Sequence, residues 1–223
     1  MNRNQWTEED LKLLAKHLRK PEGEIGEEVA LRMNQGNAAM NLHTLAVLNP
    51  QANQHILEIG MGNGMFVQNI LNLHESIKYT GLDYSADMVK QALHINERFV
   101  SSGRAVFSEG SIEQLPFEND SFNQIFTVNT LYFWKDIESG LRSLKKLLKP
   151  SGRLIISIRP KDNMQELPVT RYNFNLFDQE EILELLNLVG FVNIELTEIK
   201  EPPQINMGMP SDRKCLIFCA EKA

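Results

Sequence analysis

The stretch Leu57-Glu58-Ile59-Gly60-Met61-Gly62-Asn63-Gly64 decides how this chain is read. Ile56, Leu57 and Ile59 supply the apolar end of a buried strand, and three glycines follow at every second position. Glycine carries no Cβ, so such a turn bends tightly and lets the backbone approach a ligand closely. A helix is predicted to begin at about Met65, where unpaired N–H groups favour an anionic group. A dinucleotide-binding turn has its third glycine one position later, and that place is Met65 here. A pyrophosphate site therefore fits poorly, and a strand–helix turn without a ligand is the plain alternative.

Downstream, strand and helix patterns alternate. Strands are predicted at 55–59, 77–82, 104–108, 122–128 and 154–158, with two more at 191–198 and 214–220. The run at 122–128 is apolar enough for the centre of a sheet. One helix is expected over 65–73. Ser85 can cap the next, with Asp87 in its first turn and Met88, Ala92 and Phe99 on one face. Ile137, Leu141, Leu144 and Leu148 mark a helix that ends at the turn Lys149-Pro150-Ser151-Gly152. Asp178 and Glu181 form a capping box for a last helix that stops at Gly190. This alternation predicts an α/β fold, with a parallel sheet and helices on both faces.

The first fifty residues read as short helices. Thr7 is a candidate N-cap, Leu11, Leu14, Ala15 and Leu18 have helical spacing, and breaks are expected at Gly23, Gly26 and Asn34-Gln35-Gly36-Asn37. Residues 1–50 are expected to be a helical cap and residues 51–223 the α/β domain. The bland reading of the cap is an amphipathic cover, and the sharper one is a lid whose asparagine-rich break faces the ligand.

The bulk numbers narrow the function. The chain has 223 residues, 42% of them hydrophobic and 23% charged, and a net charge of −6. Mean hydropathy is −0.29 and the pI about 5.5. A chain of this size buries enough surface to need neither disulfide nor metal. The acidic balance argues against a nucleic-acid partner, and no apolar run approaches the ~20 residues of a membrane span. Without a signal-like start, a cytoplasmic location is expected. Lys145, Lys146 and Lys149 read as a solvated helix end. Cys215 and Cys219 share one strand face and read as core thiols, and the five histidines lack metal spacing.

In sheets of this kind, ligands sit beyond the carboxyl ends of the strands, where strand order reverses. That rule gathers the 58–64 turn, Asp83, the Gly110-Ser111-Ile112 turn and Asn129 around one crevice. Asp83 follows the glycines by about 20 residues, the interval expected of a ribose-binding acid.

Taken together, these segments resemble class I S-adenosylmethionine-dependent methyltransferases over residues 55–158. The resemblance lies in the acid-x-Gly-x-Gly-x-Gly turn, in Gly81-Leu82-Asp83-Tyr84-Ser85-Ala86-Asp87-Met88, and in Glu109-Gly110-Ser111-Ile112-Glu113-Gln114-Leu115-Pro116-Phe117. It extends to Asp120-Ser121-Phe122-Asn123 and to the Leu-Lys-Pro-Ser-Gly-Arg-Leu run. Its nearest flavour is the small-molecule branch that includes quinone-biosynthesis methyltransferases. The resemblance implies a Rossmann-like, seven-stranded, mostly parallel sheet with an antiparallel edge, a helical N-terminal extension, and S-adenosyl-L-methionine as cofactor. By the same resemblance, Glu58, Gly60, Met61, Gly62, Asn63 and Gly64 hold the methionine end and Asp83 the ribose. Tyr84, Met88 and Ile112 flank the adenine. Ser111 stands where many relatives carry an aspartate. Asn129-Thr130-Leu131-Tyr132 lacks the prolines of base amino-methyltransferases.

Methyl transfer asks mainly for alignment and exclusion of water. Tyr132 and His43 are candidate bases on position alone. The long segment 159–177 exceeds an ordinary connection, and with Tyr132, Trp134, Arg159, Arg171 and Tyr172 it is expected to bind a small-molecule acceptor. The loop 201–213, with Pro202-Pro203, Met207 and Met209, is expected at the same sheet face. The competing readings are a nicotinamide-dependent oxidoreductase and an inactive S-adenosylmethionine-binding protein.

Overall fold

The structure is a computed structural model that describes residues 6–201, 204–206, 209–211 and 213–223. Its frame follows from the apolar runs. β1 (His55–Ile59), β2 (Lys78–Asp83), β3 (Ala105–Glu109), β4 (Phe122–Val128), β5 (Leu148–Ile158), β6 (Phe191–Lys200) and β9 (Lys214–Lys222) form one sheet in the order β3-β2-β1-β4-β5-β9-β6. β1 pairs in parallel with β2 on one side and β4 on the other, so strand order reverses between them. β9 is antiparallel to both neighbours, β5 and β6. The edge strand β6 thus runs with the parallel strands, and the reversal lies one strand inside the edge. A small antiparallel hairpin, β7 (Gln204–Asn206) with β8 (Met209–Ser211), interrupts the expected 201–213 loop. Pro202, Pro203 and Met207 lie outside the described residues.

Side chains alternate along each strand, and here both faces are apolar. Ile56, Phe126 and Ile155 enter one core cluster with Met40, Val67, Ile70 and Ala92. Leu57, Ile125, Leu154 and Ile156 enter the other with Leu141, Leu144, Ile182 and Leu186. The first face is covered by α3 (Ala38–Leu48), α4 (Val67–Leu71), α5 (Ala86–Ile95) and α6 (Glu97–Ser101), the second by α7 (Ile137–Leu147) and α9 (Gln179–Val189). Cys215 and Cys219 are buried, unpaired thiols of the first cluster. Truncating a side chain such as Phe126 to alanine is expected to cost ~3–5 kcal/mol, transfer and cavity together.

Several boundaries move for local reasons. α1 (Glu8–Arg19) starts at the predicted cap, Thr7, in a capping box with Asp10. α2 (Gly23–Gly36) absorbs Asn34, Gln35 and Gly36, leaving Asn37 alone as the hinge into α3. Gly26 does not break that helix. A Cβ there would lie 2.6 Å from the Pro21 carbonyl carbon, so glycine lets the α1–α2 corner close. α4 begins two residues later than predicted and has only five residues. The Lys149–Gly152 turn is absorbed into β5, which starts at Leu148 and pairs with Phe122 across an irregular register. Lys145 is not simply solvated, because its Nζ donates to the carbonyls of Val189 and Gly190 at the end of α9. A short helix α8 (Lys161–Gln165) and a 3-10 turn (Pro168–Arg171) structure the long 159–177 segment.

Candidate active site

The β1 turn is shaped by three positive-φ glycines that do different work. Gly60 has φ 74°, its N–H donates to Leu82 O at 2.7 Å, and a Cβ would fall 2.2 Å from Thr130 Cγ2. Gly64 has φ 68° and packs against Ala92 and Asn96, whose Nδ2 donates to Gly64 O at 3.0 Å. Gly62, at φ 58°, faces open space. Its N–H is not left for an anionic ligand, since it donates to Asp83 Oδ2 at 2.8 Å. The amides of all three glycines are thus used within the protein, Gly64 N donating to Met61 O at 3.2 Å.

Two carboxylates flank this turn. Asp83 ends β2, and its Oδ1 accepts from Ser85 N at 2.9 Å. Burial raises its pKa, partly offset by hydrogen bonds from backbone amides. Each carboxylate oxygen has two lone pairs, so both retain capacity to accept from a ligand. Glu58 is the last residue but one of β1 and accepts from Tyr79 OH at 2.5 Å. Desolvation pushes it up to about 7 despite that bond, and Asp83 pushes in the same direction.

Around these groups lies a crevice of about 440 Å³. Of the residues singled out from sequence for the cofactor, Glu58, Gly60, Met61, Gly62, Asp83, Tyr84, Met88, Gly110, Ser111, Ile112 and Asn129 line it. Asn63 and Gly64 stand behind it. Asn63 is buried and accepts from Asn34 Nδ2 at 3.0 Å, tying α2 to the glycine turn. Met61 folds over Gly81, where a Cβ would lie 2.1 Å from its sulfur. Tyr84 is 48% exposed at the mouth with Lys20 Nζ 4.9 Å from its ring centre, whereas Met88 is fully buried. Ile112 and Trp134 pack together over Gly140, and Trp134 also lines the crevice.

Sequence reasoning missed one contribution. The Ser111 hydroxyl is hydrogen-bonded to the Glu113 carboxylate, so an acid stands at this turn, two residues on. The signal was present in the Ser111-Ile112-Glu113 turn, where Glu113 N also donates to Ser111 Oγ at 3.2 Å. The cap also lines the crevice, through Leu18, Met33, Asn34, Asn37 and Asn41. Asn34 and Asn37 come from the asparagine-rich segment suggested by the sequence.

The residues proposed for catalysis and acceptor binding divide. Tyr132 is buried, donates to Asn129 Oδ1 and Arg159 O at 3.2 Å, and accepts from Arg159 N at 2.6 Å. Burial holds this phenol far above its ordinary value, so it braces the ends of β4 and β5. His43 sits half-buried on α3 and lines neither this crevice nor the cavity beside it. Arg159 and Tyr132 line that neighbouring cavity. Arg171 is exposed and Tyr172 lies beneath Lys12 at 5.7 Å, and both are outside the two linings, against the expectation that they bind the acceptor. Among the described residues, no helix is long and apolar enough to cross a membrane, and no cluster of three or more histidine, cysteine or acidic side chains could hold a metal ion.

A family described as a methyltransferase domain matches residues 50–191. An O-methyltransferase of Pyrenophora dematioidea is 27% identical over 169 residues, 73% of this chain and 63% of that one. The chain therefore spans about six tenths of the length of such curated relatives. Among solved structures, Haemonchus contortus phosphoethanolamine N-methyltransferase 2, in complex with phosphomonomethylethanolamine and S-adenosylhomocysteine, is similar with a TM-score of 0.72. It shares 16% identity and is matched over 95% of this chain and 60% of that one. The [4+2]-cyclase SpnF is similar with a TM-score of 0.69 at 18% identity, over 84% and 82% of the two chains. Fold likeness at this level does not fix a reaction.

Proposed function

This chain belongs to the class I S-adenosylmethionine-dependent methyltransferase family, and on that premise we propose that it transfers a methyl group to a small-molecule acceptor. The observation that most supports the reading is the pairing of Glu58 and Asp83. Two buried acids stand near the C-terminal ends of adjacent strands, beside a glycine turn whose middle member, Gly62, has nothing above it. Asp83 would accept from the ribose hydroxyls, and Glu58 would face the ammonium of the methionine end. Tyr84, Met88 and Ile112 would enclose the adenine, with Ser111 and Glu113 at its edge.

S-adenosylmethionine supplies an activated methyl on a sulfonium, which an acceptor takes by in-line displacement, leaving S-adenosylhomocysteine. The protein's share is alignment and dryness. Fixing donor and acceptor in line can supply ~7–11 kcal/mol of the barrier. α1 and α2 cover the site, held by Ser85 Oγ on Pro21 O, by Gly23 N on Asp87 Oδ2 at 2.8 Å, and by the Asn34–Asn63 bond. A covering element of this kind keeps water from the reacting centre.

Calorimetry with S-adenosylmethionine and with NADH tests the reading. A Kd on the order of 1–100 μM is expected for the former and no heat for the latter. Binding of NADH alone would favour the oxidoreductase reading. Binding of S-adenosylmethionine with no transfer of labelled methyl to any of a broad acceptor panel would favour the inactive binder.

A further inference from the structure

Beside the crevice lies a second cavity of about 780 Å³, and the two share Leu18, Met33, Asn37, Asn129 and Phe133 in their linings. The cap adds Leu14 and Val29 to its wall, and the 159–177 segment adds Met164, Leu167, Val169 and Phe174. Rings form one side of it. Phe133 and Phe174 meet edge-on with centres 4.8 Å apart, and Tyr132 lies 6.1 Å from Phe174 and 6.2 Å from Phe133. The long segment thus reaches the cavity mainly through hydrocarbon and an aromatic ring, while its Arg171 and Tyr172 stay outside.

The charged groups of this lining are already engaged within the protein. Arg159 is buried, and its Nη2 donates to Glu201 Oε2 at 3.0 Å. Arg213 is held as well, its Nη1 donating to Gly36 O at 2.9 Å. Arg32 pairs with Glu28 at 2.6 Å, both exposed, and Asp10 closes the α1 capping box. Uncommitted polar groups stand instead where the two spaces join. Asn37 Oδ1 accepts from Arg159 Nη2 at 3.4 Å, and Asn129 Oδ1 accepts from Tyr132 OH at 3.2 Å. With its oxygen so used, each carboxamide keeps an NH2 group that donates to no described residue.

We propose that this cavity is the acceptor chamber and that it takes an uncharged aromatic molecule with an oxygen function, hydroxyl or carbonyl, at one end. The ring body lies along Phe133 and Phe174. The oxygen accepts from Asn37 and Asn129, which brings it to the edge of the crevice. The inference rests on reading the crevice as the methyl-donor site, because the shared lining is what brings the two ligands together. A flat ring buried here gains both apolar area and edge-on or offset contacts with the aromatic side chains. A carboxylate on the same ring would lose its water against a largely apolar wall whose guanidinium groups are already held.

The test uses the full chain at neutral pH, with and without S-adenosylhomocysteine, and three fluorescent probes of similar shape: 2-naphthol, 2-methylnaphthalene and 2-naphthoate. Naphthol is expected to bind alongside S-adenosylhomocysteine, and about tenfold tighter than naphthoate or better. Phe174→Leu should weaken naphthol and methylnaphthalene alike, by about two- to tenfold, the range that an aromatic pair supports. Asn37→Ala should weaken naphthol by about three- to tenfold, the loss of a neutral hydrogen bond, and leave methylnaphthalene unmoved. If Asn37→Ala fails to fold by circular dichroism, the wild-type ratio and Phe174→Leu still decide. Naphthoate binding as tightly as naphthol, displacement of naphthol by S-adenosylhomocysteine, or an unchanged naphthol affinity in Phe174→Leu overturns the proposal. So does a folded Asn37→Ala that moves both neutral probes equally, or neither. Failure of S-adenosylhomocysteine to bind, with the naphthol preference and the Phe174→Leu loss intact, would instead sink the donor-site reading and leave the chamber standing.

Discussion

The crevice and the cavity beside it are built at very different distances along the chain. The acids and glycine turn at the heart of the crevice are neighbours in the folding unit. Gly62 and Asp83 are 21 residues apart, as are Glu58 and Tyr79. The second cavity closes over long separations, with Arg159 meeting Gly36 across 123 residues and Arg213 meeting Gly36 across 177. One strand–turn–helix–strand unit therefore suffices to place the two acids over the glycine turn. The second cavity exists only once the cap, the β5 segment and the chain before β9 have come together. This difference predicts that substitutions at the crevice act through turn geometry and acid chemistry. Those on the outer surface of the 159–177 segment should do little.

The sharpest contrast lies within the glycine turn itself. Gly60→Ala places a methyl 2.2 Å from Thr130 Cγ2 at a positive φ, and is expected to destabilise by about 2–4 kcal/mol, overpacking and backbone strain together. Gly62→Ala meets open space, so only the left-handed strain of about 1 kcal/mol should appear in stability, with a larger loss of cofactor affinity. Urea unfolding of both variants checks the pair. Equal stabilities would mean that the turn is not held against Thr130 as described.

Glu58 offers a comparable effect through pH. Unfolded, it releases its proton near the ordinary value of 4.5, while burial holds the proton in the folded chain until about 7. The folded state therefore binds more protons across that window, and stability should fall as pH rises through it, by up to about 3 kcal/mol. Glu58→Gln should flatten that part of the profile between pH 5 and 7.5. A wild-type profile that is already flat would show that the carboxylate is charged in the folded protein.

Asp83→Asn comes next. Replacing the charged acceptor should weaken S-adenosylmethionine binding by roughly 1.5–3 kcal/mol, about 10- to 150-fold. Ser111→Ala should cost less, because its hydroxyl is already engaged with Glu113. Calorimetry that gave the reverse order would exchange the ribose and adenine ends. The smallest effect belongs to Arg171, exposed and outside both linings. Arg171→Ala should shift stability by no more than about 0.5 kcal/mol and leave the acceptor KM unchanged. A raised KM would extend the second cavity outward to the 3-10 turn.

Much was legible in the sequence because its physics is local. The apolar runs of β1, β2, β4 and β5, the caps at Thr7, Ser85 and Asp178, and the positive-φ glycines each follow from a few consecutive residues. The acid at 83 was marked by its interval from the turn, and the structure joins it to Gly62 directly. Tertiary closure decided the rest. Which way β9 runs, that Ser111 leans on Glu113, that Tyr132 is a buried brace, and that Arg159 pairs with the buried Glu201 depend on partners far apart in the chain or on burial. Periodicity reports which face of an element is apolar, but not which distant element will cover it. Burial then sets whether a phenol, an acid or a guanidinium keeps its ordinary chemistry.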